Sequence, residues 1–535
     1  MSTALEAASL IMIPNSYSDG LLASVKPNDG AGDFTFSRGS NLSATRVNAD
    51  GNIEKGYENL LLQSNSFSDA AWGGSSFNVI PNQEGYDGLT DAWLLETTTT
   101  GTSVRIQQSV SMSSIHTYSV YAKKGTSNWL VLRNNSNATA VWFDLENGVI
   151  GQENSASINP SIESIGDGWY RLSVLFDSST SVRFYMTDGD DSYDATLGAN
   201  VYIQDAMLNQ GLVAYAYLET TTATVQGGLL ENTPRLDWSN GVPAVLLEEE
   251  RTNISPRSEN FESFNTIGSP VITPNATISP EGVQNAYAIS STGGTGRVRS
   301  TNIPYENGAK YCISVYAKAN GSYTFNLRHQ EVNNFNVRFD LSDQSFTSLG
   351  LGNWFTDAEI IPFGNDGWYR CVVYITMDAT PNTGTGEIVL YGGDSVYVYG
   401  FQTERGSTPS SYIPTYGTSQ TRGSETISDN FNIPTTATIY NSFYSDVAET
   451  VFVLDQVFNV VVGLNKVAIA FSPTAVKISV GGSIVANATG TYDTSSLTNI
   501  QLGSDNGSDY SNAPISGFYV FPEFLTDEEL NSLTA

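Results

Sequence analysis

Short landmarks occur twice in this chain, in the same order and at nearly the same spacing. A Ser-Val-Tyr-Ala-Lys run begins at Ser119 and again at Ser314, an offset of 195 residues. The tetrapeptide Gly-Trp-Tyr-Arg begins at Gly168 and again at Gly367, an offset of 199 residues. A Phe-Asp-Leu segment between these landmarks and a Val-Tyr run after them repeat in the same way. A period this long indicates two complete domains rather than a solenoid, so the chain contains a tandem duplication.

Both copies have the sequence pattern of β-sandwiches. Each contains alternating apolar and polar segments of five to eight residues, separated by Asp-Gly, Asn-Gly or Gly-rich turns. Such a pattern predicts a two-sheet sandwich or jelly roll. A content of 48 Gly, 28 Tyr and 24 Phe in 535 residues also favours strands over helices. The predicted fold class is therefore all-β.

The landmarks divide the chain into five expected parts. These are an N-terminal arm (1–55), a first jelly roll (56–222), a connecting hairpin or linker (223–250), a second jelly roll (251–417) and a C-terminal sandwich (418–535). The arm has apolar stretches but is too short to bury a core of its own. It must pack on the first repeat or dock on a partner subunit, and we favour docking by strand addition to a neighbouring sheet. A capping box from Thr526 to Glu529 predicts one short terminal helix.

The charge balance excludes two classes of partner. The chain has 24 Lys and Arg against 55 Asp and Glu, a net charge of −31. Such a surface repels phosphate backbones and anionic lipids, so we expect neither nucleic acid nor membrane partners. No secretory signal and no apolar run of membrane-spanning length is visible, so we expect synthesis in the cytoplasm.

The two cysteines are predicted to be free thiols. Cys312 and Cys371 both lie in the second repeat, on strands where alternation places their side chains on opposite faces. Such thiols cannot form a disulfide without distortion, and Cys371 is predicted to be the buried one.

Several short motifs resemble those of tailed-bacteriophage structural proteins. They lie at residues 34–40, 44–47, 234–237, 246–248, 251–253 and 258–261. The two repeats resemble the carbohydrate-binding-module-like jelly rolls of phage fibres and appendages. The final unit is similar to concanavalin-A/laminin-G-like sandwiches, on residues 465–469, 477–482 and 517–520. The resemblance thus implies two tandem homologous jelly-roll β-sandwiches, then a smaller laminin-G-like β-sandwich.

The resemblance also implies a function and a location. It predicts a non-enzymatic virion structural protein, a head or tail fibre or similar appendage. Such a protein would bind other capsid or tail proteins through its N-terminal arm and would work as a homo-oligomer, often a trimer. The rival hypothesis is a carbohydrate-binding protein that recognises host surface glycans. A capsule depolymerase is the third hypothesis, and we favour it least because no β-helix repeat is visible.

Each repeat presents aromatic and cationic residues on one predicted strand face. These candidate glycan-binding residues are Tyr121, Lys123, Trp169 and Arg171 in the first copy and Tyr316, Lys318, Trp368 and Arg370 in the second. Aromatic rings beside cationic side chains can stack on pyranose rings and donate to hydroxyl groups. The alternative is that Arg stacks on Trp to cover the sheet, and we favour it because a duplicated residue more often preserves a fold than a site.

An acidic loop in the first repeat is a candidate metal site. Its carboxylates, which could surround Ca²⁺, belong to Asp188, Asp190, Asp191 and Asp194. The alternative is a solvated hairpin tip, which we favour because the matching stretch at 381–384 lacks these acids. No other cofactor is expected, since His116 and His329 are not equivalent positions and show no metal-ligand spacing. Both are predicted at strand rims.

Overall fold

The computed structural model describes most of the chain. The described residues are 6–39, 42–102, 104–135, 139–154, 159–329, 335–377, 383–445, 448–495, 499–503 and 514–535. Residue 40 of the N-terminal motif and residues 381 and 382, compared above with the acidic loop, lie outside them.

The described secondary structure is almost entirely β. The N-terminal segment contains β1 Leu10–Met12, β2 Tyr17–Ser18, β3 Leu21–Leu22, β4 Phe34–Arg38, β5 Thr45–Val47 and β6 Ile53–Asn59. The first repeat contains β7 Gly73–Ser75, β8 Phe77–Gln83, β9 Ala92–Thr97, β10 Gly101–Thr102, β11 Arg105–Met112, β12 His116–Lys124, β13 Trp129–Asn134, β14 Ala140–Asp144, β15 Val149–Glu153, β16 Ser161–Gly166, β17 Trp169–Phe176, β18 Ser179–Thr187, β19 Asp194–Ala195 and β20 Asn200–Gln210. The connecting segment contains β21 Val225–Gly228, β22 Arg235–Asp237 and β23 Ala244–Leu246.

The second half of the chain also consists mainly of β-strands. The second repeat contains β24 Arg251–Asn253, the 3-10 helix Phe261–Ser263, β25 Asn265–Ile267, β26 Pro270–Ile278, β27 Gln284–Ser291, β28 Thr295–Arg299, β29 Ile303–Pro304, β30 Lys310–Ala319, β31 Thr324–His329, β32 Phe335–Asp340, β33 Ser345–Leu351, β34 Phe355–Phe363, β35 Trp368–Thr376, β36 Thr383–Gly384, β37 Gly386–Tyr391 and β38 Ser395–Arg405. The final segment contains β39 Gln420–Arg422, β40 Glu425–Asp429, β41 Ala437–Ser445, β42 Glu449–Val453, β43 Gln456–Val460, β44 Gly463–Ser472, β45 Ala475–Val480, β46 Ser483–Thr489, β47 Ile500–Leu502, β48 Ile515–Phe521 and the helix α1 Asp527–Thr534.

The two repeats have the same strand order. In the first repeat, one sheet runs β8-β9-β20-β12-β17-β16 and the other β7-β11-β18-β13-β14-β15. In the second, the corresponding sheets run β26-β27-β38-β30-β35-β34 and β25-β28-β37-β31-β32-β33. We call the sheet with the Gly-Trp-Tyr-Arg strand the front sheet and the other the back sheet. Each pair of sheets encloses one apolar core, so the predicted all-β class and the tandem sandwiches are confirmed.

The repeated tetrapeptide forms a hairpin turn and the start of a central strand. Gly168 and Gly367 adopt φ of +79° and +74°, a left-handed conformation that glycine reaches without a steric cost. In both copies the Trp residue pairs with a Lys of the neighbouring strand, Lys123 opposite Trp169 and Lys318 opposite Trp368. The motif therefore fixes the same register in both front sheets.

Both cysteines are free and buried. Cys371 lies in the core of the second repeat, whereas the Sγ of Cys312 lies 3.6 Å from the carbonyl of Gly406 on the other face. The prediction of free thiols on opposite faces is confirmed, but Cys312 is buried as well because the chain after β38 covers it.

The third sandwich is assembled from three separate parts of the chain. One of its sheets runs β22-β23-β48-β41-β44-β45-β46, and β1 pairs with β48 on the same side as β23, opposite β41. The opposing sheet runs β2-β3-β4-β40-β47. Side chains of all three parts, among them Leu10, Phe34, Val245 and Phe518, belong to one core.

This assembly contradicts the expected external arm and extends the expected connecting hairpin, whose strands β22 and β23 do pair with each other. Residues 1–55 were expected to form an arm that docks outside the chain, and 223–250 a connecting hairpin. In the structure the edges of β1 and β4 pair with β48 and β40, and β23 pairs with β48. Their apolar side chains are fully buried there, so burial and backbone pairing are satisfied within the chain itself.

A buried ion network lies where these segments and the second repeat meet. Arg235 has an acceptor for each of its N–H donors: Glu425 Oε1 at 2.7 Å and Oε2, Glu248 Oε2 at 2.8 Å, Ser411 Oγ at 2.7 Å and the carbonyl of Thr45 at 3.0 Å. Arg38 and Arg422 complete the network, at 2.9 Å from Glu425 and 3.0 Å from Glu248. The charged members of this network, which we call the joint, are almost fully buried; they are Arg38, Arg235, Glu248, Arg422 and Glu425.

The carboxylate of Glu248 is held in its charged form by the joint. Burial alone would raise the pKa of Glu248, but Arg422 and Arg235 outweigh it and hold this pKa well below its usual range. Burial alone would lower the pKa of Arg235, but Glu425 and Glu248 raise it. Each charge in the joint therefore depends on its partners.

The terminal helix α1 begins as the sequence predicts. Thr526 accepts from the backbone N–H of Glu529, whose side chain accepts from the N–H of Thr526, so the capping box is confirmed. Leu530 and Leu533 of α1 pack on the sheet that contains β44. Within the described parts of the chain, no helix is long and apolar enough to cross a membrane.

We predict that Arg235→Ala destabilises the protein by about 3–5 kcal/mol, because it leaves Glu425 and Glu248 buried with less compensating charge. Urea-induced unfolding measures the change. The matched control is Arg405→Ala, which removes an exposed ion pair with Glu306 and should cost at most about 1 kcal/mol. Equal effects of the two substitutions would contradict the role of the joint.

Candidate functional site

The predicted glycan-binding residues of the first repeat lie together on the outward face of its front sheet. Tyr121 pairs with Arg171, and Lys123 with Trp169, across neighbouring strands. The guanidinium of Arg171 lies 5.5 Å from the centre of the Tyr121 ring and donates to the carbonyl of Tyr215. Tyr121, Lys123 and Arg171 are half-buried, whereas Trp169 is 1% exposed. A ligand at this face can therefore reach the Tyr and the two cations but not the indole ring.

The same face of the second repeat is covered by the chain itself. Ile53, at the start of β6, packs against Tyr316 and Trp368, and its N–H donates to the carbonyl of Pro280 at 2.8 Å. Tyr316 is only 4% exposed and Arg370 only 8%. Nε and Nη2 of Arg370 donate to Ser314 and Nη1 donates to the chain at residue 410. The covering hairpin thus occupies the place that a ligand would take.

The side chain of Lys55 binds the β5–β6 hairpin, which covers this face, to the second repeat. Its buried Nζ lies 2.8 Å from Glu259 Oε1, pairs with Glu281 and donates to the hydroxyl groups of Tyr399 and Tyr416. Burial alone would lower the pKa of Lys55, but Glu259 and Tyr215 raise it. The hairpin is therefore an ion-paired part of the second repeat.

A cleft of about 840 Å³ opens beside the covered face. It lies between the second repeat, the 45–53 hairpin, the connecting segment and the third sandwich. Tyr316 and Arg370 form part of its wall, but the hydrogen bonds of Arg370 are already satisfied by protein atoms. We therefore place the candidate site on the first repeat.

The two front sheets differ most at one β-bulge. Asp205 of the first repeat has φ +54°, and Gly400 occupies the corresponding bulge of the second repeat with φ +62°. A Cβ at Gly400 would approach Tyr412 and Tyr316 to 3.1–3.2 Å. An aspartate in this conformation is strained, and such strain is concentrated at functional sites.

Asp205 is held by a polar cluster that the second repeat lacks. The hydroxyl of Tyr86 donates to Asp205 Oδ2 at 2.8 Å, and the Tyr86 ring stacks on Tyr121 at 4.0 Å. The backbone N–H of Tyr86 donates to Gln204 Oε1, and Gln204 Nε2 donates to Asp91 Oδ1 at 2.9 Å. We call Tyr86, Tyr121, Arg171 and Asp205 the front-face site.

The carboxyl group of Asp205 titrates near neutrality. Burial raises its pKa to about 7, and the nearby carboxylates of Asp91 and Asp87 add to the rise, while the hydrogen bond from Tyr86 opposes it. Burial also raises the pKa of Tyr86, and Asp205 adds to this rise. Asp205 is 6% exposed, so its carboxyl group can act on a ligand only indirectly, by holding the Tyr86 ring against Tyr121.

The sequence predicted Tyr121 and Arg171 but not Asp205 or Tyr86. The missed signal was the mismatch between the copies, in which an acid replaces glycine at the aligned position. Gly85 and Leu89 close the Tyr86 loop with the same 2.8 Å hydrogen bond that closes residues 279–283 in the second copy. Within that equivalent loop, Tyr86 corresponds to Pro280.

The acidic loop does not gather its carboxylates into a metal site. Asp188 accepts from Thr196, and Asp190 accepts from the N–H groups of Gln152 and Asp191. Among the residues that the structure describes, no group of three or more His, Cys, Asp or Glu side chains could hold a metal ion. Asp188 and Asp190 instead accept hydrogen bonds from nearby protein groups, and the predicted calcium ligands Asp188, Asp190, Asp191 and Asp194 are not brought together as a metal site.

The histidines lie at strand ends, His116 at the start of β12 and His329 at the end of β31, but both are buried. His116 is 6% exposed and its Nδ1 lies 2.8 Å from the carbonyl of Ser114. His329 is fully buried among Tyr305, Phe335 and Trp354, and burial lowers its pKa to about 4. Its neutral ring is a core group and takes no part in the front-face site.

Comparisons with known proteins give only distant likenesses. No family model and no curated protein sequence matches the chain. A tandem of two CBM22 domains from Paenibacillus barcinonensis Xyn10C is similar at 12% identity and a TM-score of 0.21, covering 69% of this chain and 100% of its own. An exo-β-1,3-galactanase from Phanerochaete chrysosporium is similar at 13% identity and a TM-score of 0.16, covering 73% of this chain and 100% of its own. At such scores the likeness carries no argument about this site.

We predict that Asp205→Asn stabilises the protein increasingly as the pH rises. An unfolded aspartate has a pKa of about 3.9, and the folded value is about 7, so the native carboxyl group costs stability progressively between those pH values. Thermal unfolding at pH 4, 5.5, 7 and 8 should show a growing gain that levels off above pH 7. Asp343→Asn, at an exposed aspartate, is the control. A gain that is constant with pH would contradict the prediction.

Proposed function

We propose that this protein is a non-enzymatic saccharide-binding structural protein whose ligand binds at the front-face site of the first repeat. The observation that carries the proposal is the contrast between two copies of one face. The second copy is covered by the Ile53 hairpin, whereas Tyr121 and Arg171 of the first copy remain half-exposed. The strained Asp205 stands in this open copy only.

The residue types of the site suit a sugar. Tyr121 offers a ring edge beside the Arg171 guanidinium, an arrangement that can contact a pyranose and its hydroxyl groups. Nε of Arg171 is buried and has no acceptor among the described residues. Tyr86 is half-buried, and because Asp205 holds it against Tyr121, its ring belongs to the same surface. The polar and aromatic groups of the front-face site together favour a ligand rich in hydroxyl groups.

A binding role fits these groups better than catalysis. A glycosidase needs two carboxyl groups free to act across the scissile bond. At this face Asp205 is hydrogen-bonded to Tyr86, and Asp91 to Gln204. Both carboxyl groups are thus engaged in holding the loop that carries Tyr86.

We predict that Tyr121→Ala weakens saccharide binding about tenfold, since it removes the exposed ring of the site. A host-glycan array identifies the saccharide, and calorimetry measures the affinity. Tyr323→Ala, at a tyrosine of the second repeat that is 56% exposed, is the control and should bind like the unmodified protein. Equal loss in both variants contradicts the assignment of the site, and release of reducing sugar contradicts a non-enzymatic role.

We further propose that the protein is displayed on the outside of a tailed-bacteriophage particle. The support is the sequence resemblance, whose motifs include the joint residues Arg38, Arg235 and Glu248. These motifs therefore specify how the chain is assembled. Several copies on one particle would combine weak saccharide contacts into firm attachment.

Display on the particle predicts that antibodies against the first repeat label intact virions. Immunogold electron microscopy measures the labelling, and pre-incubation with the saccharide found on the array should reduce it. The control is an antibody against an internal virion protein. Labelling that appears only after particles are disrupted would contradict surface display.

A further inference from the structure

Two arginines face each other on the outward face of the first back sheet. Arg133 of β13 and Arg183 of β18 are directly opposite in register, on neighbouring strands in the middle of the sheet. Like charges at such a pair destabilise a sheet. Within the described chain, neither arginine forms an ion pair. This cation pair is unexpected in a protein with a net charge of −31.

The second repeat shows how the same position can be neutralised. There Arg328 is opposite Glu387, and Glu387 is opposite Arg299 on its other side. Glu387 Oε1 lies 2.5 Å from Arg299, and Glu387 Oε2 lies 3.8 Å from Arg328. The corresponding triplet of the first repeat is Gln107, Arg183 and Arg133. A guanidinium thus stands where the second repeat places its carboxylate.

The first repeat lacks the carboxylate that Glu387 supplies in the second. The surroundings of Arg133 favour a saccharide as the ligand that provides a compensating anionic group. The Arg133 guanidinium lies 5.0 Å from the ring centre of Tyr193 and 5.6 Å from that of Tyr185. Tyr193 is half-buried and packs edge-on against Trp142 and Tyr185. Nε of Arg133 is buried and has no acceptor among the described residues. The face therefore combines a cation pair, an unfilled donor and a half-exposed ring.

Arg183 keeps its guanidinium on the same face. Its Nε donates to Ser181 Oγ at 3.2 Å and its Nη1 to the Tyr185 hydroxyl at 3.3 Å. These neutral acceptors orient the group without neutralising it. An external carboxylate or sulfate between Arg183 and Arg133 would supply the charge that Glu387 supplies in the second repeat.

We propose that the back sheet of the first repeat binds an acidic saccharide, with the carboxylate or sulfate of the ligand between Arg133 and Arg183. This back-sheet site lies on the opposite side of the sandwich from the front-face site and does not depend on it. Its ligand class is set by the anionic group, and Tyr193 is placed to contact the sugar ring.

The test substitution is Arg183→Glu, which places a glutamate where the second repeat has Glu387. Calorimetry with a sulfated oligosaccharide, an oligouronate and a neutral oligosaccharide measures binding. We expect the unmodified protein to bind at least one of the two acidic probes, and Arg183→Glu to weaken that binding more than tenfold. The introduced carboxylate should also pair with Arg133 and raise the thermal unfolding temperature at low salt.

The control is Arg338→Glu, which makes the same change in net charge at an exposed arginine of the second back sheet. It should bind the acidic probes like the unmodified protein. Arg133→Gln is the second variant, and it should weaken acidic binding even if Arg183→Glu does not fold. Absence of acidic binding, or equal binding by the unmodified protein and the Arg133 and Arg183 variants, overturns the proposal.

The two saccharide proposals fail separately. Tyr121→Ala should leave binding of the acidic probes unchanged, and Arg183→Glu should leave binding at the front-face site unchanged. Loss of acidic binding in Tyr121→Ala would place the acidic ligand at the front face and overturn the back-sheet site.

Discussion

The side chain of Arg235 holds together parts of the chain that are far apart in sequence. Its donors reach Thr45 in the N-terminal segment, Glu248 in the connecting segment, Ser411 after the second repeat and Glu425 in the third sandwich. A fully buried guanidinium is stable only when every donor and the charge are satisfied. The joint therefore couples the second repeat to the third sandwich, while Ile53 and Lys55 cover the second front sheet through contacts of their own.

Duplication gave two sandwiches of one topology, and their surfaces then diverged in opposite ways. The second repeat became a structural partner, with its front face covered by Ile53 and Lys55 and its back-sheet charges balanced by Glu387. In the first repeat the front face is not covered by the hairpin. There Asp205 stands at the position of Gly400, and Arg183 stands at the position of Glu387. Each copy serves as an internal reference for the other, because a charged residue without a compensating partner in one copy can be compared with the ion-paired residue at the same position of the other.

The repeats, their strands and the outward position of Tyr121 and Arg171 could be predicted from the sequence, because strand alternation and repeated landmarks are local signals. The three-part sandwich could not. Leu10 pairs with Val520, and no local pattern specifies a partner so distant in the chain. Apolar residues at 10–12 indicated only that the segment must be buried somewhere. Asp205 was missed for a different reason: its strain depends on a bulge whose backbone geometry the residue type does not reveal.

Because β1 and β4 pair with strands near the other end of the chain, the third sandwich cannot close until β48 has been synthesised. During translation the first strands emerge early and must wait while both repeats fold, since domains generally fold as units as they leave the ribosome. The contact order of this last step is therefore far higher than that of either repeat, and its closure is expected to be slow. A product that ended before β48 would leave the edges of β1 and β23 unpaired and open to proteolysis.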